Sequence, residues 1–220
     1  VETDPFLLDH AMGEAPSARN AKLLPLIVVP FTFSVEIIAE AACRLCGDAL
    51  KVTVVENARG HRWLALDELG KLSLRIVAER QPSPDATPRV AVKLFQLDTN
   101  EAKPLLVFEG HVLLADRYLL APTPMPALAQ PLNAARNNPA GELYRHGMFH
   151  GPRLQGVKRL RGWNEQGIEA DMATIPTHDY FGFTQTPRLR TDPALLDAAG
   201  QLAGFWLTEK LSWEYNCFPF

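Results

Sequence analysis

The chain has 220 residues, 47% of them hydrophobic and 21% charged, with a formal net charge of -3. This is the composition of a globular chain with enough apolar residues for one sizeable core or two small ones. It excludes a strongly basic nucleic-acid surface, and no apolar run reaches the ~18 residues that a membrane span needs.

In chain order, residues 6–12 (FLLDHAM) read as a short strand running into a turn, and 13–22 (GEAPSARNAK) as a loop. No signal sequence precedes Asp4, so the expected compartment is the cytoplasm. The opening VETDPFLLDH and the closing NCFPF read as the ends of a domain cut from a longer chain. After LLPLIVVPFTF comes SVEIIAEAACRLCG, a helix with Ser34 as N-cap and Gly47 as stop, apolar on most sides but for Glu36, Glu40 and Arg44. Cys43 and Cys46 fall inside it. With three cysteines in the chain, they read as buried thiols rather than a disulfide framework or a zinc site.

Strand-like runs follow: KVTVVENARG, RWLALDE, KLSLRIVAER, RVAVKLFQLD and PLLVFEGHVLLA. Several alternate apolar and polar residues, as half-buried antiparallel strands do. A buried helix followed by a strand meander predicts a sheet curled around that helix. Residues 121–140, with five prolines, read as a linker. The pattern then restarts with YRHGMFHGPRLQG, the strands VKRLRGWN and GIEADMATI, and DPALLDAAGQLAGFW, a helix opened by Asp192 and Pro193. The expected organisation is a duplicated α+β unit: 1–120, a linker 121–140, and an incomplete second copy 141–220.

The last helix poses the chemical question. It is apolar nearly throughout, yet it carries Asp197, with Gln201 four residues on along the same face and Gly200 and Gly204 close by. A carboxylate in apolar surroundings must be paired, or it stays protonated and can donate a proton. Pairing with Arg153 or Arg190 is the plain alternative. A general acid needs a base, and six histidines are available. His61, His111 and His178 read as structural or surface residues. His146 and His150 flank the glycine-rich segment. His10 lies just ahead of the first apolar helix, a plausible place to meet a residue of the second helix, with an exposed turn residue as the plain alternative.

Three of these segments together resemble the dehydratase domains of modular polyketide and fatty-acid synthases. DAAGQ resembles their D-x-x-x-[QH] motif. GMFHGPRLQG resembles their G-Y-x-Y-G-P-x-F-Q segment, with Met148, His150 and Leu154 where aromatics are usual. LLDHAMG resembles the start of their H-x-x-x-G-x-x-x-x-P. Here Gly13 follows His10 by three residues and Pro30 by twenty, so about eleven extra residues separate the histidine from the first helix.

The resemblance implies a double hot-dog fold, two curved antiparallel sheets each wrapped around a central helix, the second copy truncated. It implies dehydration of a 3-hydroxyacyl thioester to an enoyl thioester. Neutral His10 would take the proton beside the carbonyl, and protonated Asp197 would give one to the leaving hydroxyl. Gln201, Gly13, Pro30, Tyr144, Gly151 and Pro152 would bind substrate, with the Gly151 amide or one near the first helix holding the carbonyl oxygen. No metal and no diffusible cofactor is implied, because the substrate arrives on the phosphopantetheine arm of an acyl carrier protein. That carrier and the neighbouring synthase domains are the implied partners, with a homodimer left open and neither nucleic acid nor membrane among them. A double-bond isomerase, a polyketide cyclase or product-template domain, or an inactive scaffolding module on the same fold are the alternatives.

Overall fold

A computed structural model of the chain describes residues 2–12, 26–66, 71–83, 87–97, 103–129 and 143–210. In chain order it contains a 3-10 turn (Pro5–His10), β1 (Ala11–Met12), β2 (Leu26–Ile27), α1 (Phe31–Cys46), β3 (Lys51–Gly60), β4 (Leu74–Gln81), β5 (Arg89–Gln96) and β6 (Leu105–Ala115). A π turn (Leu143–Gly147), a 3-10 turn (Pro152–Leu154), β7 (Val157–Asn164), β8 (Gly167–Met172) and α2 (Pro193–Lys210) complete it. Among the described residues, no helix is long and apolar enough to cross a membrane.

The chain divides into two compact units. The described residues of one are 26–66, 71–83, 87–97, 103–121 and 188–193, and those of the other are 2–12, 122–129, 143–187 and 194–210. The first eleven described residues thus group with the later segment rather than with the stretch that follows them, unlike the expected 1–120 unit.

The helix and strands of the first of these units form as the sequence predicts, but only β4, β5 and β6 make a meander, because β3 pairs with β6 rather than β4. The strands lie in the order β3-β6-β5-β4, all antiparallel, with Lys51 opposite Ala115 and Leu74 opposite Gln96. The alternating residues of β5 and β6 bury Val90, Val92, Leu94, Val107, Val112 and Leu114 against Ile38, Ala42 and Cys43 of α1. Gly110 marks the closest approach: a Cβ there would lie 2.8 Å from Ile38 Cδ1. The β3–β6 register shifts between Glu56 and Arg59, where Asn57 takes a positive φ of 52°, a conformation Asn tolerates better than most residues.

Four local expectations are corrected. The helix starts at Phe31 with Pro30 as N-cap residue, so Ser34 is a buried interior residue. Glu36 is not on a solvated stripe. It is buried and accepts the backbone N–H groups of Arg190 (2.5 Å) and Thr191 (2.7 Å) and the Thr191 hydroxyl (2.6 Å). Burial raises its pKa, which these donors oppose. The strand expected at RWLALDE reduces, over its described residues 62–66, to a single bridge between Ala65 and Val28. Residues 6–12 form a 3-10 turn and a two-residue strand, with Pro5 setting the first turn.

In the other unit α2 lies on the β7–β8 hairpin. Leu143, Val157, Leu160, Ala198 and Leu202 form its buried core, and Trp206 Nε1 donates to the Asn164 carbonyl at 2.8 Å. Residues 121–129 have no regular structure, as their prolines dictate, and the linker's remainder, 130–140, lies outside the described residues. Leu128 N–H and Ala129 C=O are satisfied by Glu169 and Asn164 side chains.

The Gly110–Ile38 contact gives a prediction. Gly110→Ala should lower stability by ~1–3 kcal/mol through overpacking. Combining it with Ile38→Val, which removes the clashing methyl, should destabilise less than the two single changes summed. Urea denaturation of the four proteins measures this. Strict additivity would show that the helix does not press on the sheet at this point.

Candidate active site

The acid on α2 is held by a chain of hydrogen bonds. Asp197 is buried, with its side chain 12% exposed. Its Oδ2 accepts from Gln201 Nε2 at 2.7 Å and lies 3.3 Å from His150 Nε2. Gln201, 4% exposed, also donates to the Leu154 carbonyl at 2.9 Å. Its Oε1 accepts the Tyr144 hydroxyl at 3.0 Å, and that hydroxyl accepts the Val157 N–H at 2.9 Å. Both amide ends of Gln201 are therefore committed, which fixes its rotamer and aims a donor at Asp197. Gly156 lets the helix come close, since a Cβ there would meet the Ala198 Cβ at 2.7 Å.

His10 reaches the same place through its neighbour. The Asp9 carbonyl accepts the Gly151 N–H at 2.8 Å, and Asp9 Oδ2 accepts the Arg153 N–H at 2.7 Å and lies 3.3 Å from Arg153 Nη1. Arg153 Nε also donates to Asp179 at 3.1 Å. Gly151 must be glycine for this clamp, because a Cβ there would lie 2.5 Å from Asp9 Oδ1. The clamp sets the His10 ring 5.2 Å from that of His150 and 5.0 Å from that of Phe149, which stacks on His150 at 4.1 Å. The ligating atoms of His10, His150 and Asp197 all lie within 4.8 Å of one another.

Burial sets the charge states. Loss of solvation pushes the Asp197 carboxyl up to about 6, against the opposing pull of the Gln201 hydrogen bond. It pushes His150 down to about 3, with His10 adding to the effect. The His150–Asp197 contact is thus a neutral histidine beside an acid that is protonated below about 6, not an ion pair. A neutral imidazole carries one N–H. Placing it on Nε2 lets His150 donate to Asp197 Oδ2 and leaves the buried Nδ1, which has no hydrogen-bond partner, as a bare acceptor rather than an orphaned donor. Both contacts of Asp197 then fall on Oδ2, so a proton on this carboxyl sits on Oδ1. Burial also raises Tyr144 to about 12, so its hydroxyl stays a donor.

The expected residues fall into three groups. His10, Asp197, Gln201, Tyr144 and Gly151 converge. The Gly151 N–H, however, already binds Asp9, so it is not free to hold a substrate oxygen. Pro152 opens the 3-10 turn at the surface, Pro30 is buried in the other unit, and Gly13 lies outside the described residues. Arg153 and Arg190, considered as partners of Asp197, bind Asp9 and Asp48 instead. His150 is the residue that sequence reasoning left unassigned. Its signal was a histidine where an aromatic is usual.

Residues 120–218 match the family described as polyketide synthase dehydratase N-terminal domain. The matched residues make up less than half of the chain. The matched segment holds Tyr144, His150, Asp197 and Gln201, while His10 joins them from outside it through the Asp9 clamp. Among solved structures, the chain is similar to the dehydratase domain of the polyketide PpsC from Mycobacterium tuberculosis (18% identity, TM-score 0.58, 85% of this chain and 63% of that one). It is also similar to the dehydratase domain from the CurF module of curacin polyketide synthase (20%, 0.55, 82% and 62%). A third is the bifunctional dehydratase-cyclase domain in ambruticin biosynthesis (23%, 0.52, 90% and 61%). The shared fold is the double hot-dog. The chain spans 61–63% of the length of these neighbours. No curated relative matches the sequence.

Asp197 and His150 predict opposite pH effects on stability. Asp197 keeps its proton to a higher pH folded than unfolded, so it lowers stability as pH rises from about 4 to about 6. His150 stays neutral to a lower pH folded than unfolded, so it raises stability over the same interval. In the wild type the two slopes offset each other. Asp197→Asn removes only the first, so the stability difference, variant minus wild type, should grow by ~1.4 kcal/mol per pH unit between pH 4 and 6. Denaturant titrations across that range measure it. A pH-independent difference would mean that Asp197 is ionised throughout.

Proposed function

We propose that this site eliminates water from a 3-hydroxyacyl thioester delivered on the phosphopantetheine arm of an acyl carrier protein, within a multidomain polyketide synthase. The observation that carries the proposal is the convergence of His10 and Asp197, 187 positions apart in sequence, to within 4.8 Å beside the buried His150. The acidic proton and the leaving hydroxyl of such a substrate sit on adjacent carbons, so base and acid must meet at this spacing.

A His10 nitrogen takes the proton from the carbon next to the thioester carbonyl. The electrons of that C–H bond become the new double bond, and the C–O bond at the next carbon breaks. The Asp197 Oδ1 proton goes to the departing oxygen, which leaves as water. The site is left with a protonated histidine and a carboxylate, and one proton transfer between them restores it. Gln201, oriented by Tyr144 and Leu154, keeps Asp197 in place, and Phe149 walls His10. The Asp9–Gly151–Arg153 clamp makes the encounter of the two segments reproducible, and no metal or diffusible cofactor enters the step.

The test is turnover of a 3-hydroxyacyl thioester on a carrier protein, followed by mass spectrometry as loss of water. His10→Ala and Asp197→Asn should each lower turnover by ~10²–10⁴-fold, the usual worth of a positioned proton-transfer group, while melting cooperatively. A ring closure without loss of water would favour the cyclase reading. Turnover unchanged in both variants, or absent in the wild type with carriers of varied chain length, would contradict the proposal.

A further inference from the structure

The histidine at position 150 adds a third donor to the pair considered above. Dehydration as proposed needs only His10 and Asp197. His150 makes the cluster two imidazoles and one carboxylate, with donor atoms all within 4.8 Å. Nitrogen, nitrogen and oxygen donors in that number suit first-row divalent cations, and three protein ligands with one open position are the usual form of a reactive zinc site.

The dimensions can be compared with those of a zinc centre. Ligand atoms ~2.0–2.1 Å from a tetrahedral zinc are separated by about 3.3 Å. His150 Nε2 and Asp197 Oδ2 are already 3.3 Å apart. The widest separation in the cluster, at most 4.8 Å, requires a movement of ~1.5 Å or less. His10, only half-buried, is the residue able to make it by side-chain rotation. Part of the outer shell is in place. Gln201 donates to the carboxylate and is itself held by Tyr144 and Leu154, Gln155 Nε2 donates to the His150 carbonyl at 2.9 Å, and Asp9 anchors the segment carrying His10. Partners of this kind orient ligating side chains. Zinc on Nε2 places the ring N–H of His150 on Nδ1, which is buried and has no hydrogen-bond partner among the described residues, a cost that the coordination bonds must offset.

We propose that His10, His150 and Asp197 form a binding site for Zn²⁺, with water in the open position. The ion is not a cofactor of dehydration. It would occupy the lone pair of the proposed base and the carboxylate of the proposed acid together, so free Zn²⁺ and acyl substrate would exclude each other.

Binding is read without turnover, which keeps this proposal separable from the dehydratase reading. The untagged chain, freed of metal with a chelator, is titrated with Co²⁺ followed by its visible absorption, and with Zn²⁺ by competition against a chromophoric chelator. The expected result is a one-to-one complex at micromolar Zn²⁺. Its Co²⁺ form should show the intense bands of four-coordination and no thiolate charge-transfer band, which separates it from Cys43 and Cys46. His150→Phe, sized for an aromatic position, and Asp197→Asn should each weaken binding by ~100-fold or more, exceeding the loss on removing an outer-shell partner. The exposed control His178→Ala should bind as the wild type does. Circular dichroism of each variant establishes folding. No binding by the wild type up to millimolar Zn²⁺, a thiolate band, or undiminished binding in both site variants would overturn the proposal.

Discussion

A carboxyl group on the buried face of an apolar helix is the constraint on which the rest of this site depends. Asp197 cannot shed its solvation cheaply, and no arginine among the described residues neutralises it. Its neighbours are a neutral amide and a neutral imidazole; the Gln201 hydrogen bond favours the ionised form, but neither neighbour brings a charge that offsets the loss of solvation. Desolvation therefore dominates and the group holds its proton to a higher pH than a solvated aspartate. Gln201, Tyr144, Leu154 and Val157 form a continuous run of hydrogen bonds whose consequence is the placement of one amide N–H on Oδ2.

The same economy of placement explains the loop from Gly151 to Gly156. Gly151 leaves room for Asp9, and Gly156 leaves room for Ala198 on α2. Between them Arg153 ties Asp9 to Asp179, and Tyr180 donates to the Arg153 carbonyl at 2.7 Å. One short loop thus contacts both the segment that bears His10 and the helix that bears Asp197. Small rearrangements there would separate the two groups even with both side chains intact, and positional errors near 1 Å are enough to impair proton-transfer chemistry of the proposed kind.

Much of this was legible in the sequence because the signals were local. Alternation in KLSLRIVAER and RVAVKLFQLD marks their strands, and the apolar run with Asp197 and Gln201 at helical spacing marks α2 and its acid. What was missed depended on residues far apart in sequence. Glu36 read as part of a solvated stripe because its partners, Arg190 and Thr191, lie about 155 positions away. FLLDHAM read as a strand because its apolar residues are buried, yet they are buried from a 3-10 turn, with Phe6 stacked on Tyr180 at 5.8 Å. His150 carried a signal only against a motif, and its contact with Asp197 emerges only once the loop and the helix are packed. The Gly151 amide looked available because glycine suggests an open backbone. Its use by Asp9 is a tertiary fact.

The central claim is that burial keeps Asp197 protonated up to a pH of about 6, so that it is an acid rather than an ion-pair partner. The most direct test is a ¹³C NMR titration of the Asp197 carboxyl carbon in the folded chain, with Asp197→Asn used to assign the resonance. An apparent pKa of about 6, well above the ordinary aspartate value of 3.8, is the predicted result. A midpoint at or below 3.8 would show that the carboxylate is ionised under all working conditions, and would contradict the account.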